Sequence, residues 1–153
     1  MTVPETVSLV NRQRLVRIPR SRVRRTVARA LAALGRSGQN LDLTLVDDAE
    51  IRRLNARFRG VRRRTDVLAF PLDAPLLGEV IISAETARRQ ARHLQVPLAL
   101  ELDLLATHGV LHLVGYDDRE PLEARLMHER EREILTQGGR PVPDRLWTGL
   151  LPT

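Results

Sequence analysis

The chain has 153 residues, 42% hydrophobic and 29% charged, the make-up of one soluble globular domain with a core of its own. It has no cysteine, which excludes a disulfide framework and a thiolate metal site, and no apolar run approaches the ~18 residues that a membrane span needs. All 25 basic residues are arginine, the net charge is +6, and the charge is lopsided: residues 1–100 hold 19 Arg against 9 acids, residues 101–153 hold 6 against 10.

An arginine excess of this size is the electrostatic footprint of a polyanion partner, because the planar guanidinium grips phosphate through two hydrogen bonds. The competing reading is a GC-rich source that favours Arg codons and leaves most of these side chains solvated. Phe58, Phe70, Tyr116 and Trp147 are the only aromatic residues. That is too few for a base-stacking platform, so any nucleic acid should be held by phosphate and shape. The start, MTVPETVSLVNRQR, lacks a long apolar stretch behind a basic segment, which predicts no secretion signal and a cytoplasmic protein.

In chain order, the alternation of QRLVRI predicts a strand at 13–18. Pro19 and Ser21 open an Arg/Ala/Leu helix to about Leu34, stopped by Gly35 and Gly38. LDLTLV at 41–46 reads as a half-buried strand, and DDAEIRRLNARFR as a helix capped by Asp47 or Asp48. TDVLAFPL, which Thr65 and Asp66 open through a turn or cap, and GEVIIS at 78–83 are close enough in sequence to form a hairpin. Ser83 can cap a helix from about Ala84 to Leu94, Pro97 starts a long apolar helix that Gly115 ends, and a last helix runs from about Pro121 to Leu135. GGRPVPDR then leads into a tail, loosely packed from about 138, whose Trp147 should rest on the body. This order predicts one α+β domain over 1–153. Its small mixed sheet of about four strands is covered by about five helices, with the functional site on the central helix and the turn after it.

That site is HGVLHLVGYDD, residues 108–118. His108 and His112 stand four apart, on one face of a helix that is apolar nearly all round. The competing reading is that each is a lone core histidine bonded to a carbonyl; a metal would satisfy both at once. Two helical ligands make only one edge of a tetrahedron. The reversal that Gly115 permits would bring Tyr116, Asp117 and Asp118 back toward them, completing three ligands and an open position. Asp117 can orient a histidine from behind or simply hold the turn. His128, on the next helix, is a fallback third ligand and reads better as a solvated residue beside Glu129 and Glu131. HExxH peptidases place a glutamate base after the first histidine, where this chain has Gly109.

The stretch resembles the YbeY endoribonuclease family, whose hallmark is HGxLHLxGYDH, through His108, Gly109, Leu111, His112, Leu113, Gly115, Tyr116 and Asp117. LNARFRGVRRRTDVLAFP at 54–71 and LGEVIIS at 77–83, followed by Gln90 and Ala91, extend the likeness. The resemblance implies a metal-dependent, single-strand-specific endoribonuclease of 16S rRNA 3′-end maturation and ribosome quality control, whose partners are ribosomal RNA and the small subunit. It implies one Zn2+ per chain at the three motif positions, and Arg59, one of seven arginines between 52 and 64, at the substrate end. Arg62, Arg63 and Arg64 suit backbone-tracking RNA contacts. The family's third histidine is Asp118 here. A carboxylate can ligate zinc, but it lowers the site's charge from +2 to +1 and makes Mn2+ or Fe2+ a more credible occupant. The competing expectations are a non-catalytic ribosome assembly factor with a structural metal and, further off, a metallopeptidase.

Overall fold

The computed structural model describes residues 7–60 and 65–150. Arg62, Arg63 and Arg64 lie outside the described residues. In chain order the elements are β1 (Val7–Asn11), α1 (Arg20–Ala33), β2 (Asn40–Val46), α2 (Asp48–Arg59), β3 (Val67–Pro71), β4 (Leu76–Ser83), α3 (Ala84–Leu94), α4 (Leu98–Leu113) and α5 (Pro121–Thr136), then a 3-10 helix over Asp144–Gly149. The strands form one mixed sheet in the order β1-β2-β4-β3. β1 and β4 flank β2 in parallel, and β3 and β4 make the expected antiparallel hairpin.

The first strand is not where alternation suggested. Residues 13–18 form no strand, with a bend at 14–16, and VSLVN at 7–11 supplies the edge strand beside β2. Gln13 explains the difference. Its side-chain carbonyl accepts the backbone N–H groups of Leu15 (3.0 Å) and Val16 (2.9 Å), and its amide donates to the Val16 carbonyl (2.8 Å). These local bonds satisfy backbone groups that a sheet ladder would otherwise claim. Leu15 is left 58% exposed, so the apolar alternation of this stretch is not a buried face.

Two helix starts follow side-chain caps. Asp47, not Asp48, caps α2 by accepting the Glu50 N–H at 2.8 Å, and Ser83 caps α3 by accepting the Thr86 N–H at 3.2 Å. The Asp48 carboxylate instead ties the two helix starts together, accepting from Ser83 and Thr86 hydroxyls, each at 2.6 Å.

The sheet is covered on both faces. Leu41, Leu43, Leu45, Val80 and Ile82 face the main core with α1, α4 and α5, while Leu68 and Ile81 pack with Ile51 of α2 on the other side. α4 is the central element, with His112 its one residue after Ala99 that is not buried. It sits hard against β4. A Cβ on Gly109 would stand 2.5 Å from Val80 Cγ1, and one on Gly78 2.5 Å from a Leu113 methyl. No helix among the described residues is long and apolar enough to cross a membrane.

The tail is packed more tightly than its composition suggests. Leu146 of the 3-10 helix is fully buried among Leu94, Leu100, Leu104 and Leu135, and the Arg132 guanidinium lies 4.3 Å over the Trp147 ring.

Thr65 and Asp66 are also deeper than a turn requires, at 1% and 0% exposure. The Asp66 charge acts on Glu101 of α4, a fully buried carboxyl whose two oxygens have no hydrogen-bond partner among the described residues. Burial, then Asp66, pushes Glu101 up to about 8. In the unfolded chain this group ionises near 4.5. Its stability contribution is therefore complete below pH 4.5 and is lost as pH rises toward 8, because only the folded state keeps the proton. Glu101→Gln should remove that loss. We expect the variant to gain on the order of a few kcal/mol over the parent between pH 5 and pH 8. Urea melts at both pH values test it; identical pH dependence in the two proteins would show that Glu101 is not the titrating group.

Candidate metal centre

The last turn of α4 and the loop after it bring three donors together. Gly115 takes φ +105°, the Tyr116 N–H reaches back to the Leu111 carbonyl (3.0 Å), and the chain reverses toward the histidines. Nε2 of His108 and Nε2 of His112 are 3.1 Å apart. Asp118 Oδ2 lies 3.5 Å from the first and Oδ1 3.8 Å from the second. One ligand atom from each residue falls within 4.8 Å of the others.

The far side of each ring prepares Nε2 for a cation. Nδ1 of His112 donates to the Tyr116 carbonyl (3.0 Å), and Nδ1 of His108 donates to Glu131 Oε2 (2.7 Å). With both Nδ1 atoms engaged as donors, the neutral tautomers place both lone pairs on Nε2, where a metal needs them. The donor set is two imidazoles and a carboxylate with a solvent-facing side, which fits a divalent cation of the zinc type with an open position.

The same cluster can hold a proton. Burial pushes His108 down, but Asp118 and Glu131 outweigh it and hold the imidazole up to about 9. His112 is held below its ordinary value by burial and by the neighbouring His108 charge, against the pull of Asp118 and the Tyr116 carbonyl. The geometry is thus organised around one positive charge.

Glu131 is the residue that the sequence reading passed over as a neighbour of a solvated histidine. It is fully buried and anchors three groups: His108 through Oε2, and His128 Nδ1 (2.7 Å) and Trp147 Nε1 (3.1 Å) through Oε1. Burial alone would raise its pKa; the bonds from His108 and His128 overcome this and hold it below the usual range, as a carboxylate. A sign of it stands in the sequence, for Glu131 shares the buried face of α5 with Met127, Ile134 and Leu135. An acid on such a face needs a partner. His128 turns to Glu131 and is not among the three clustered donors.

Asp117 points its carboxylate into the turn, accepting the Asp118 N–H (2.8 Å) and pairing with Arg119 Nε (3.2 Å). It holds the loop that presents Asp118. Arg59 ends α2, just before Gly60 at φ +70°. Its guanidinium makes no ion pair among the described residues. Arg59, Ala69, Pro71, His112, Tyr116 and Arg119 help to line one groove of about 360 Å³. β3 is the sheet edge, so the groove passes over it, and α2 on one face and the end of α4 on the other both reach it. Gly109 lies tight against Val80, which leaves no room for the glutamate of an HExxH peptidase.

Fold and site together define a small α+β domain with a candidate metal centre of two histidines and an aspartate beside an arginine-flanked groove. The family model described as Endoribonuclease YbeY matches residues 8–139, and the chain belongs to the YbeY family. Proteins named Endoribonuclease YbeY include one from Anaeromyxobacter sp. (strain Fw109-5), 45% identical over 123 residues, which make up 77% of this chain and 64% of that protein. Another, from Rhodopseudomonas palustris (strain BisB18), is 41% identical over 126 residues, 76% of this chain and 75% of that one. The match spans a little under two thirds of the Anaeromyxobacter relative's length. A Thermotoga maritima protein solved in solution shares the fold, with a TM-score of 0.61, 24% identity, and coverage of 93% of this chain and 89% of its own.

Proposed function

We propose that this chain is a metal-dependent, single-strand-specific endoribonuclease that acts in 16S rRNA 3′-end maturation and ribosome quality control in the cytoplasm. The observation that carries the reading is the convergence of His108, His112 and Asp118 on one point at an arginine-flanked groove, in a chain of the YbeY family. Zn2+ is the proposed ion; Asp118 also admits Mn2+ or Fe2+. A bound cation would supply Lewis-acid polarisation of a phosphoryl oxygen and activation of water. The chain's own residues do the rest. Glu131 and the Tyr116 carbonyl hold the two imidazoles in the ligating tautomer, and Asp117 holds the turn that carries Asp118. Arg59 binds the scissile phosphate and neutralises the charge that builds on it. Arg62, Arg63 and Arg64, which follow Arg59 closely in sequence, are assigned to the RNA backbone on either side.

Arg59→Ala should lower kcat by about 100-fold to 1000-fold, the usual cost of removing one donor aimed at transition-state charge, while metal content stays intact. Single-turnover cleavage of a labelled single-stranded RNA, with elemental analysis of the same sample, checks both parts; an unchanged kcat would remove Arg59 from the chemistry.

Asp118 has its own test. Asp118→His should keep the metal and favour zinc over manganese, whereas Asp118→Ala should weaken metal binding by more than about tenfold. Full metal content and affinity in Asp118→Ala would exclude Asp118 as a ligand. The same assays on parent and EDTA-treated protein decide the class. Metal without RNA cleavage would favour the assembly factor, and casein cleavage would favour the peptidase.

A further inference from the structure

A second concentration of positive charge lies at the other end of α4. Arg22, Arg25 and Arg29 fall at i, i+3 and i+7 of α1, so they share one helix face. With Arg140, which follows α5, they line a pocket of about 160 Å³. Leu100 in its wall is twelve residues before His112, roughly 18 Å along the helix axis. The pocket is therefore separate from the metal centre.

The four arginines are not equivalent. Arg22 is locked against Asp103, a carboxylate 6% exposed, by bonds from Nη2 (2.6 Å) and Nε (3.1 Å), and Asp103 also accepts from the Thr26 hydroxyl (2.7 Å). That single acid is spent on Arg22 and Thr26. Arg25, Arg29 and Arg140 have no ion-pair partner among the described residues. Arg29 is drawn over the end of α5, where its Nη1 would stand 3.0 Å from a Cβ on Gly138. Like charges converging on one small concavity repel unless an anion sits among them.

The ground beside them is of a different kind. Val96, Pro97, Leu100, Pro141, Val142 and Pro143 line an adjoining trough of about 490 Å³, which shares Arg22 and Arg140 with the charged pocket. A guanidinium cluster opening onto an apolar trough suits a ligand with a phosphate at one end and a flat, weakly polar group beside it. A tetrahedral phosphate offers an oxygen to each of three guanidinium groups, which a carboxylate cannot.

We propose that Arg25, Arg29 and Arg140 form a phosphoryl-binding site remote from the metal centre, and that the trough beside it receives the base of the nucleotide carrying that phosphate. The nucleotide can belong to an RNA strand or be free; the chemistry is shared. This site does not depend on the function proposed above.

The test uses the metal-loaded full chain, with adenosine 5′-monophosphate, adenosine, inorganic phosphate and glutamate as probes, followed by calorimetry and amide chemical shifts. The monophosphate should bind more tightly than either adenosine or phosphate alone. Arg25→Ala/Arg29→Ala should weaken it at least about tenfold, the loss expected for two charge-assisted bonds. Arg25→Lys/Arg29→Lys, which keeps charge and fold but loses the fork, should weaken it less. His112→Ala, used here as the metal-free control, should leave it within twofold. Binding that survives the double alanine variant, binding lost with His112→Ala, or equal competition by glutamate would each overturn the site. Cleavage separates the two sources. A raised KM with unchanged kcat in the double alanine variant identifies the RNA strand; weakened monophosphate binding with unchanged KM identifies a free nucleotide. If the parent cleaves no RNA yet binds the monophosphate through these arginines, the nuclease reading fails and this site stands. If it cleaves RNA but the arginines bind nothing, only this site fails.

Discussion

His112→Ala is expected to lose the metal and to reduce RNA cleavage to the level of the EDTA-treated protein. His112 is one of the two imidazoles in the candidate metal cluster, and its ring lines the groove proposed to take the substrate. Without it, one imidazole and one carboxylate remain, below the three protein ligands of a catalytic zinc site. Affinity should fall by more than roughly 100-fold, the upper end of what losing a mere outer partner costs. The fold should survive, because His112 is half-buried and its Nδ1 bond goes to a backbone carbonyl near solvent. Metal content by elemental analysis, cleavage by gel and unfolding by circular dichroism separate these effects. Retained metal with retained cleavage would put the active centre elsewhere.

Glu131→Ala should be the most damaging single change to the fold that also reaches the site. It leaves His108 Nδ1, His128 Nδ1 and Trp147 Nε1 without their shared acceptor. Removing one member of a buried charged network costs about 3–5 kcal/mol, which for a domain of this size is a fall in Tm of roughly 10 °C. Metal affinity should fall about 10–100-fold, since the His108 ring loses the bond that sets its tautomer. Glu131→Gln separates the two roles. It keeps one acceptor and the side-chain shape, so it should regain much of the stability while metal affinity stays reduced. If Glu131→Ala melts with the parent, the network is not a stabilising one.

Much of the site was legible because it is local. His108 and His112 are four apart on a continuous helix, and Gly115 marks where the chain can reverse; both signals lie within a dozen residues. The Ser83 cap, the β3–β4 hairpin and the span of α4 were legible for the same reason. The strand expected at 13–18 failed where local alternation met a local competitor, the Gln13 side chain, and the actual strand at 7–11 is defined by its register with β2, more than thirty residues away.

What the sequence by itself determined is the pair of histidines and the turn, since helical periodicity and glycine stereochemistry act over a few residues; the motif's likeness to the YbeY family, not local pattern, singled out Asp118 among the residues after the turn. The tertiary structure alone decided that Asp118 closes within 4.8 Å of both rings, that Glu131, 23 residues after His108, fixes that imidazole, and that the tail packs down so that Trp147 completes the network. It also decided that Asp103 takes Arg22, while Arg25, Arg29 and Arg140 line the same pocket. These are contacts between elements far apart in sequence. They depend on how α1, α4, α5 and the 3-10 helix pack over one sheet, and no short-range pattern encodes that packing.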